Sequence, residues 1–132
     1  MELAKAIENI AEEIDGSFTE YSPKNLIITV PIGDGRFQGV TTYLIERDGN
    51  EVIEFTSRVC DAELPNINFK HALEVNQQLT YSKVVIFEGF LQLAAAIIVK
   101  HITEDILKDI ILEIGHSADK LERELTNGID VH

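Results

Sequence analysis

The side chains through which this chain could do chemistry are four histidines, one cysteine, five scattered serines and a large excess of carboxylates. His71, His101, His116 and His132 contain no i, i+4 pair that would set two imidazoles on one helix face, and Cys60 has no second cysteine to complete a zinc set. Ser17, Ser22, Ser57, Ser82 and Ser117 lack the glycine-flanked elbow that exposes a nucleophile between strand and helix. Gly33-Asp34-Gly35 is the one glycine-dense loop. It lacks the third glycine and the strand–loop–helix setting of a dinucleotide fingerprint, and no Gly-Lys-Ser/Thr occurs. It therefore reads as a turn. Glu12, Glu13 and Asp15 form one acidic set, and Asp105, Asp109 and Glu113 another. Both read as solvated helix faces, since neither has the alternating oxygens, turn glycine and closing Glu of a calcium loop. Cys60 reads as a small hydrophobe at a strand end. A reactive thiol needs a lowered pKa, and Arg58 two residues away is the only nearby cation. The sequence thus predicts no catalytic residue, no metal and no cofactor. A site assembled from distant acids and histidines stays open as an alternative.

The elements that would position these groups are legible from periodicity. Residues 1–15 read as an amphipathic helix with Leu3, Ile7, Ile10 and Ile14 on one stripe, ended by Gly16 and Ser17. Residues 25–32 read as a strand in which Leu26, Ile28, Val30 and Ile32 alternate with Ile27 and Thr29. Pro31 removes a backbone donor, which predicts an edge or a bend there. Strands over 36–46 and 51–60 follow, joined by Asp48-Gly49, a strong hairpin signal. Ile53, Phe55 and Val59 share one face of the second, opposite Glu54, Thr56 and Arg58. Asn68 is a fair N-cap for a helix over 69–79 with Phe69, Ala72, Leu73 and Leu79 as its stripe, although Asn76 also falls on it. Strands over 82–87 and 90–99 follow, turned by Glu88-Gly89. Thr103 caps a final helix to Thr126, with Glu104 and Asp105 in its first turn. Ile106, Ile110, Ile114, Leu121 and Leu125 are its inner stripe, broadened by Leu107 and Ile111. Gly115 within it predicts a bend or a close approach, and Asn127-Gly128 a stop before a frayed tail over 129–132.

The order α-β-β-β-α-β-β-α predicts an α+β fold, a five-stranded antiparallel sheet packed with three helices. The 132 residues suit one domain over 1–132, long enough to bury about two thirds of its unfolded surface. Eleven basic against 23 acidic residues leave a charge of −12. That argues against a nucleic-acid backbone and against an anionic membrane surface, and favours solubility and basic partners. The N-terminus Met1-Glu2-Leu3-Ala4-Lys5 has no secretory pattern. The longest apolar run, 90–99, is broken by Gln92 and falls short of the about 20 residues of a membrane span. A soluble cytoplasmic protein is expected.

The sheet carries the most informative pattern. The last strand is apolar on both faces, with Leu91, Leu93, Ala95, Ile97 and Val99 on one and Ala94, Ala96 and Ile98 on the other. The strand before it sets Val84 and Ile86 opposite Val85 and Phe87, and Ile27 adds to the second face of the first strand. A sheet with one wet face alternates more cleanly than this. Ile27, Val85, Ala94, Ala96 and Ile98 are therefore the predicted protein-interface residues, facing a second copy or another polypeptide.

Leu73-Glu74-Val75-Asn76, Lys83-Val84-Val85-Ile86, Gly89-Phe90-Leu91-Gln92-Leu93 and Ala118-Asp119-Lys120-Leu121, in this order of elements, resemble the YbjN-like branch of the type III secretion chaperone-like fold. The resemblance covers nearly the whole chain. It implies a bacterial source, a homodimer as in many members, and binding of other proteins rather than catalysis; it supplies no catalytic residues. The expected function is a non-enzymatic protein-binding module, chaperone- or adaptor-like and homodimeric. The alternatives are a small-ligand protein or enzyme with a site of scattered acids and histidines, and a structural subunit of a stable hetero-complex.

Overall fold

The structure is a computed structural model that describes residues 1–130. Its order is α1 (Leu3–Glu13), β1 (Ser17–Ser22), β2 (Asn25–Gly33), β3 (Arg36–Arg47), β4 (Asn50–Asp61), α2 (Phe69–Val75), β5 (Lys83–Phe87), β6 (Phe90–Ile98) and α3 (Glu104–Asp130). All strand pairs are antiparallel, in the spatial order β1-β2-β3-β4-β6-β5. The α+β class and the three helices are as expected, but the sheet has six strands rather than five. The missed strand is β1. Its sequence Ser-Phe-Thr-Glu-Tyr-Ser is polar and almost wholly exposed, so backbone pairing to β2 holds it and hydrophobic alternation does not mark it.

The core lies on one face of the sheet. Register places Leu26, Thr42, Phe55 and Ala95 in one row across β2, β3, β4 and β6. Ile28, Val30, Val40, Ile53, Leu91, Leu93 and Val84 share that face and are buried. Leu3, Ile7 and Ile10 of α1 and Leu107, Ile110, Ile111, Ile114 and Leu121 of α3 close over it in one cluster. Thr42 is buried on this face and donates its hydroxyl to the Leu26 carbonyl at 3.1 Å, which removes the cost of an unpaired polar group.

The details refine the sequence reading. Pro31 is not on an edge strand, yet β1 pairs with β2 only as far as Thr29, so Pro31 lies where β2 has no neighbour on that side, beside a register shift before Gly33. The predicted stripe of α3 is buried from Leu107 to Leu125 and also includes Ala118, whereas Ile106 is only half-buried. Gly115 serves close approach: a Cβ there would lie 3.0 Å from Cβ and Cγ2 of Val30. Thr103 caps α3 through Oγ1, which accepts from the Ile106 amide at 3.2 Å. Asn127-Gly128 does not stop α3, which runs on to Asp130. Of the expected tail, 131 and 132 lie outside the described residues. The helix predicted over 69–79 is shorter, since α2 ends at Val75 and a single 3-10 turn, Asn76–Gln78, follows. Phe69 and Leu73 do not face the core; Ala72 alone of α2 is buried. Asn76, which spacing puts on that stripe, accepts from the Val84 amide through Oδ1 at 2.6 Å and ties the end of α2 to β5. Among the described residues no helix is long and apolar enough to cross a membrane.

Candidate functional site

The three helices leave the second face of the sheet uncovered. One row runs across all six strands on that face: Thr19, Ile27, Thr41, Thr56, Ala94 and Lys83. Ala96 pairs with Glu54, Ile98 with Val52, and Val85 with Gln92, at positions of the same parity. All five predicted interface residues, Ile27, Val85, Ala94, Ala96 and Ile98, therefore stand on this one helix-free face. Val85 and Ala96 are exposed; Ile27, Ala94 and Ile98 are half-buried.

The face is concave. A hollow of about 650 Å³ lies on it, walled by residues from β2 across to β5 that include Ile27, Thr41, Tyr43, Thr56, Phe87 and Gln92. Its lining alternates apolar surface with hydroxyls. Glu54, Arg58 and Glu88 also line it, and the first two have neighbours. Glu54 accepts from Arg47 at 3.0 Å, and the Arg58 guanidinium stacks 4.0 Å above the Phe90 ring. Lys83, on the same face but outside the hollow, turns its Nζ back to the Leu79 carbonyl at 2.9 Å. Gln92 is buried and donates Nε2 to the Phe87 carbonyl at 3.2 Å, which braces the β5–β6 hairpin at the end of the hollow. A sheet face built this way offers van der Waals area, hydroxyls and the Glu88 carboxylate to an extended chain.

The carboxylates with displaced acidity lie on the other side, on α3. Burial pushes the Glu113 carboxyl up, but amides of Thr80, Ser82 and Tyr81 and the Ser82 hydroxyl outweigh it and hold the pKa below the usual range. Burial likewise opposes ionisation of Asp119, and hydrogen bonds from Arg36 and Arg123 reverse the balance downward. Arg36 reaches Asp119 through Nε and Nη2, both at 3.3 Å, and Arg123 through Nε at 3.1 Å. This clamp fastens the β2–β3 hairpin to α3. Burial, then Glu122 and Asp61, push the Cys60 thiol up, against the thiolate form that reactivity needs.

Of the histidines among the described residues, His101 and His116 make no side-chain hydrogen bond to an acid, and His132 lies outside the described residues. His71 is the exception: its Nε2 is 2.8 Å from Glu124 Oε1, beside a cleft of about 210 Å³ between α2 and α3. Among the described residues no group of three or more His, Cys, Asp or Glu is arranged to hold a metal ion.

One surface escaped the sequence reading. Ile86 and Phe87 of β5 are 61% and 58% exposed, and Leu73 and Phe69 of α2 are 62% and 41% exposed. The signal lies in Lys83-Val84-Val85-Ile86-Phe87, a strand too apolar for an edge, but only the strand order reveals that it is one.

No protein-family model matches the chain, and no curated protein matches it in sequence.

Proposed function

We propose that this chain is a non-enzymatic polypeptide-binding module, chaperone- or adaptor-like, that acts as a homodimer and holds an extended segment of its client on the helix-free face of the sheet. The observation that carries this reading is the uncovered concave face, with its hollow of about 650 Å³ lined by apolar, hydroxyl and charged groups. The five residues expected at an interface share that face, and Ile27 among them lines the hollow, which supports it. So does the engagement of Glu113 and Asp119 in holding the fold together, which leaves neither free to convert a substrate. The charge of −12 keeps such a complex soluble and favours basic client segments. The resemblance to the YbjN-like branch of the type III secretion chaperone-like fold points the same way, with a bacterial cytoplasmic setting.

A second reading, a small ligand in the same hollow, draws on its volume, which falls in the range of small-molecule sites. Affinity purification from the source cell's lysate separates the two. The tagged wild type should retain a stoichiometric polypeptide, and Ile27→Glu and Ile98→Glu should lose it. Lys5→Ala on the exposed side of α1 should keep it. Retention by both glutamate variants overturns the proposal, and a bound small molecule in native mass spectra favours the second reading.

A further inference from the structure

Gly39 lies within β3, on the helix-free face, and lines the hollow. A glycine inside a strand weakens it and packs against nothing, and it marks a bulge, a bend or the close approach of another group. No backbone requirement accounts for Gly39. Its φ is not positive, unlike that of Gly33, Gly35, Gly49 and Gly89. Its pairing with β2 is regular, from Ile28↔Val40 through Thr29↔Gly39 to Val30↔Gln38. A Cβ added at Gly115 would meet Val30, but one added at Gly39 meets nothing within 4 Å. The missing side chain leaves the floor of the hollow bare.

That floor is held rigidly. The backbone ladder between β3 and β4 ends at Thr41↔Thr56, and two residues beyond it on each strand stand Gly39 and Arg58. Side chains join the strands there. Ser57 donates its hydroxyl to the Gly39 carbonyl at 2.6 Å, and Gln38 donates Nε2 to the Arg58 carbonyl at 2.9 Å. These bonds take Gly39 by its main chain, which any residue would offer.

Arg58 supplies the wall. It is exposed, and Phe90 covers one side of its guanidinium. No other ring among the described residues lies on that group. At the β5 end of the hollow stand Phe87, 58% exposed, and Glu88, whose carboxylate has no hydrogen-bond or ion-pair partner among the described residues.

We infer that Gly39 is the seat of one aromatic side chain of the client, which lies flat on the bare backbone of β3 against the guanidinium of Arg58, while a lysine or arginine of the same segment reaches Glu88. A ring laid over a strand glycine recovers the packing that the glycine lacks. The planar guanidinium stacks on aromatic faces, and a leucine on the same floor would gain nothing from it. Charge favours a basic segment over a second copy, since two chains of −12 repel. The inference rests on the proposed function and names what its client carries.

Selection of random dodecapeptides displayed on phage, with the immobilised full chain as bait, tests it. Enriched peptides should share one Phe, Tyr or Trp and carry Lys or Arg, without Asp or Glu. Fluorescence anisotropy with synthetic copies should show about tenfold weaker binding to Gly39→Ile, the scale of a desolvated cation–π contact. Changing the shared aromatic to alanine should weaken the peptide equally. Gly39→Ile should melt no lower than the wild type, because isoleucine is the better strand former and builds into open space. Arg58→Gln should reduce the preference for an aromatic over a leucine in the peptide, and Glu88→Gln should flatten the salt dependence of binding. No enrichment, enrichment without a shared aromatic, or unchanged binding to Gly39→Ile overturns the inference. So does a lower melting point for Gly39→Ile, which would mean that glycine serves the backbone. A dimer that Gly39→Ile dissociates while peptide binding persists would name a second copy as occupant and overturn it too. Peptides that tolerate Gly39→Ile but not Ile27→Glu would remove the seat alone, whereas tolerance of both would remove the face proposal as well.

Discussion

Glu113 on α3 accepts both the amide and the hydroxyl of Ser82, at 2.8 and 2.9 Å, through the same carboxylate oxygen. The carboxylate also takes the Tyr81 amide at 2.9 Å and, through its other oxygen, the Thr80 amide at 2.7 Å. These bonds fix the segment that leads into β5, so Glu113 of the opposite layer, with Asn76 at Val84, positions the apolar edge. Glu113→Ala should cost about 2 kcal/mol, the usual scale for hydrogen bonds to a charged group. Urea denaturation measures the loss, and hydrogen exchange should quicken first in β5. An unchanged midpoint with unchanged exchange in β5 would contradict this role.

Acid should weaken the fold through the same carboxylates. Glu113 and Asp119 are held below the usual carboxylate range in the folded chain. Their contribution is therefore fully present above the unfolded pKa values, near roughly 4, and is lost as pH falls through the folded values. Glu122, pushed up by burial and by Asp119, acts in the opposite direction. Stability curves of wild type and Glu113→Gln should converge as pH drops below the carboxylate range. Parallel curves down to the lowest pH would refute the assignment.

Removing the clamp at Asp119 should loosen the β2–β3 hairpin. Asp119 is buried, but its partners Arg36 and Arg123 are each more than a third exposed and can return to water. The expected cost of Asp119→Ala is accordingly about 1–2 kcal/mol, closer to a partly exposed pair than to a buried one. Denaturation of Asp119→Ala, Arg36→Ala and the double variant measures the coupling. Fully additive losses would show that the pair does not act together.

Gly115 sets the distance between α3 and β2. Alanine is the better helix former by about 1 kcal/mol, but its Cβ would meet Val30, which is wholly buried and packed in the core. Gly115→Ala should therefore lower stability by about 1–3 kcal/mol, the range for overpacked cores. A raised denaturation midpoint would mean that the contact relaxes more easily than the packing indicates.

The sequence disclosed the fold where side-chain burial decides conformation, and failed where backbone pairing or a single polar contact decides it. The meander β2-β3-β4 and the helices α1 and α3 announce themselves because Leu26, Ile28, Val30, Phe55, Ile110 and Ile114 must all be buried. β1 has no such residues apart from Phe18, and its pairing to β2 carries no periodic mark. Spacing alone assigns Phe69 and Leu73 to the core, whereas both are exposed and Asn76 on the same stripe holds Val84 instead. The helix-free face was legible in outline, since Ala94, Ala96 and Ile98 are more apolar than a wet face requires. Its hollow was not, because curvature comes from the assembled sheet.

The most direct measurement of the central claim is site-specific photocross-linking from the helix-free face. A photoreactive amino acid replaces Tyr43, which lines the hollow, or Lys5, on the exposed side of α1, and the protein is irradiated in its own cell lysate. The account expects a defined polypeptide cross-linked at Tyr43 and absent at Lys5, with the adduct removed by a second substitution, Ile98→Glu. Adducts from Lys5 but none from Tyr43, or Tyr43 adducts that survive Ile98→Glu, would contradict it.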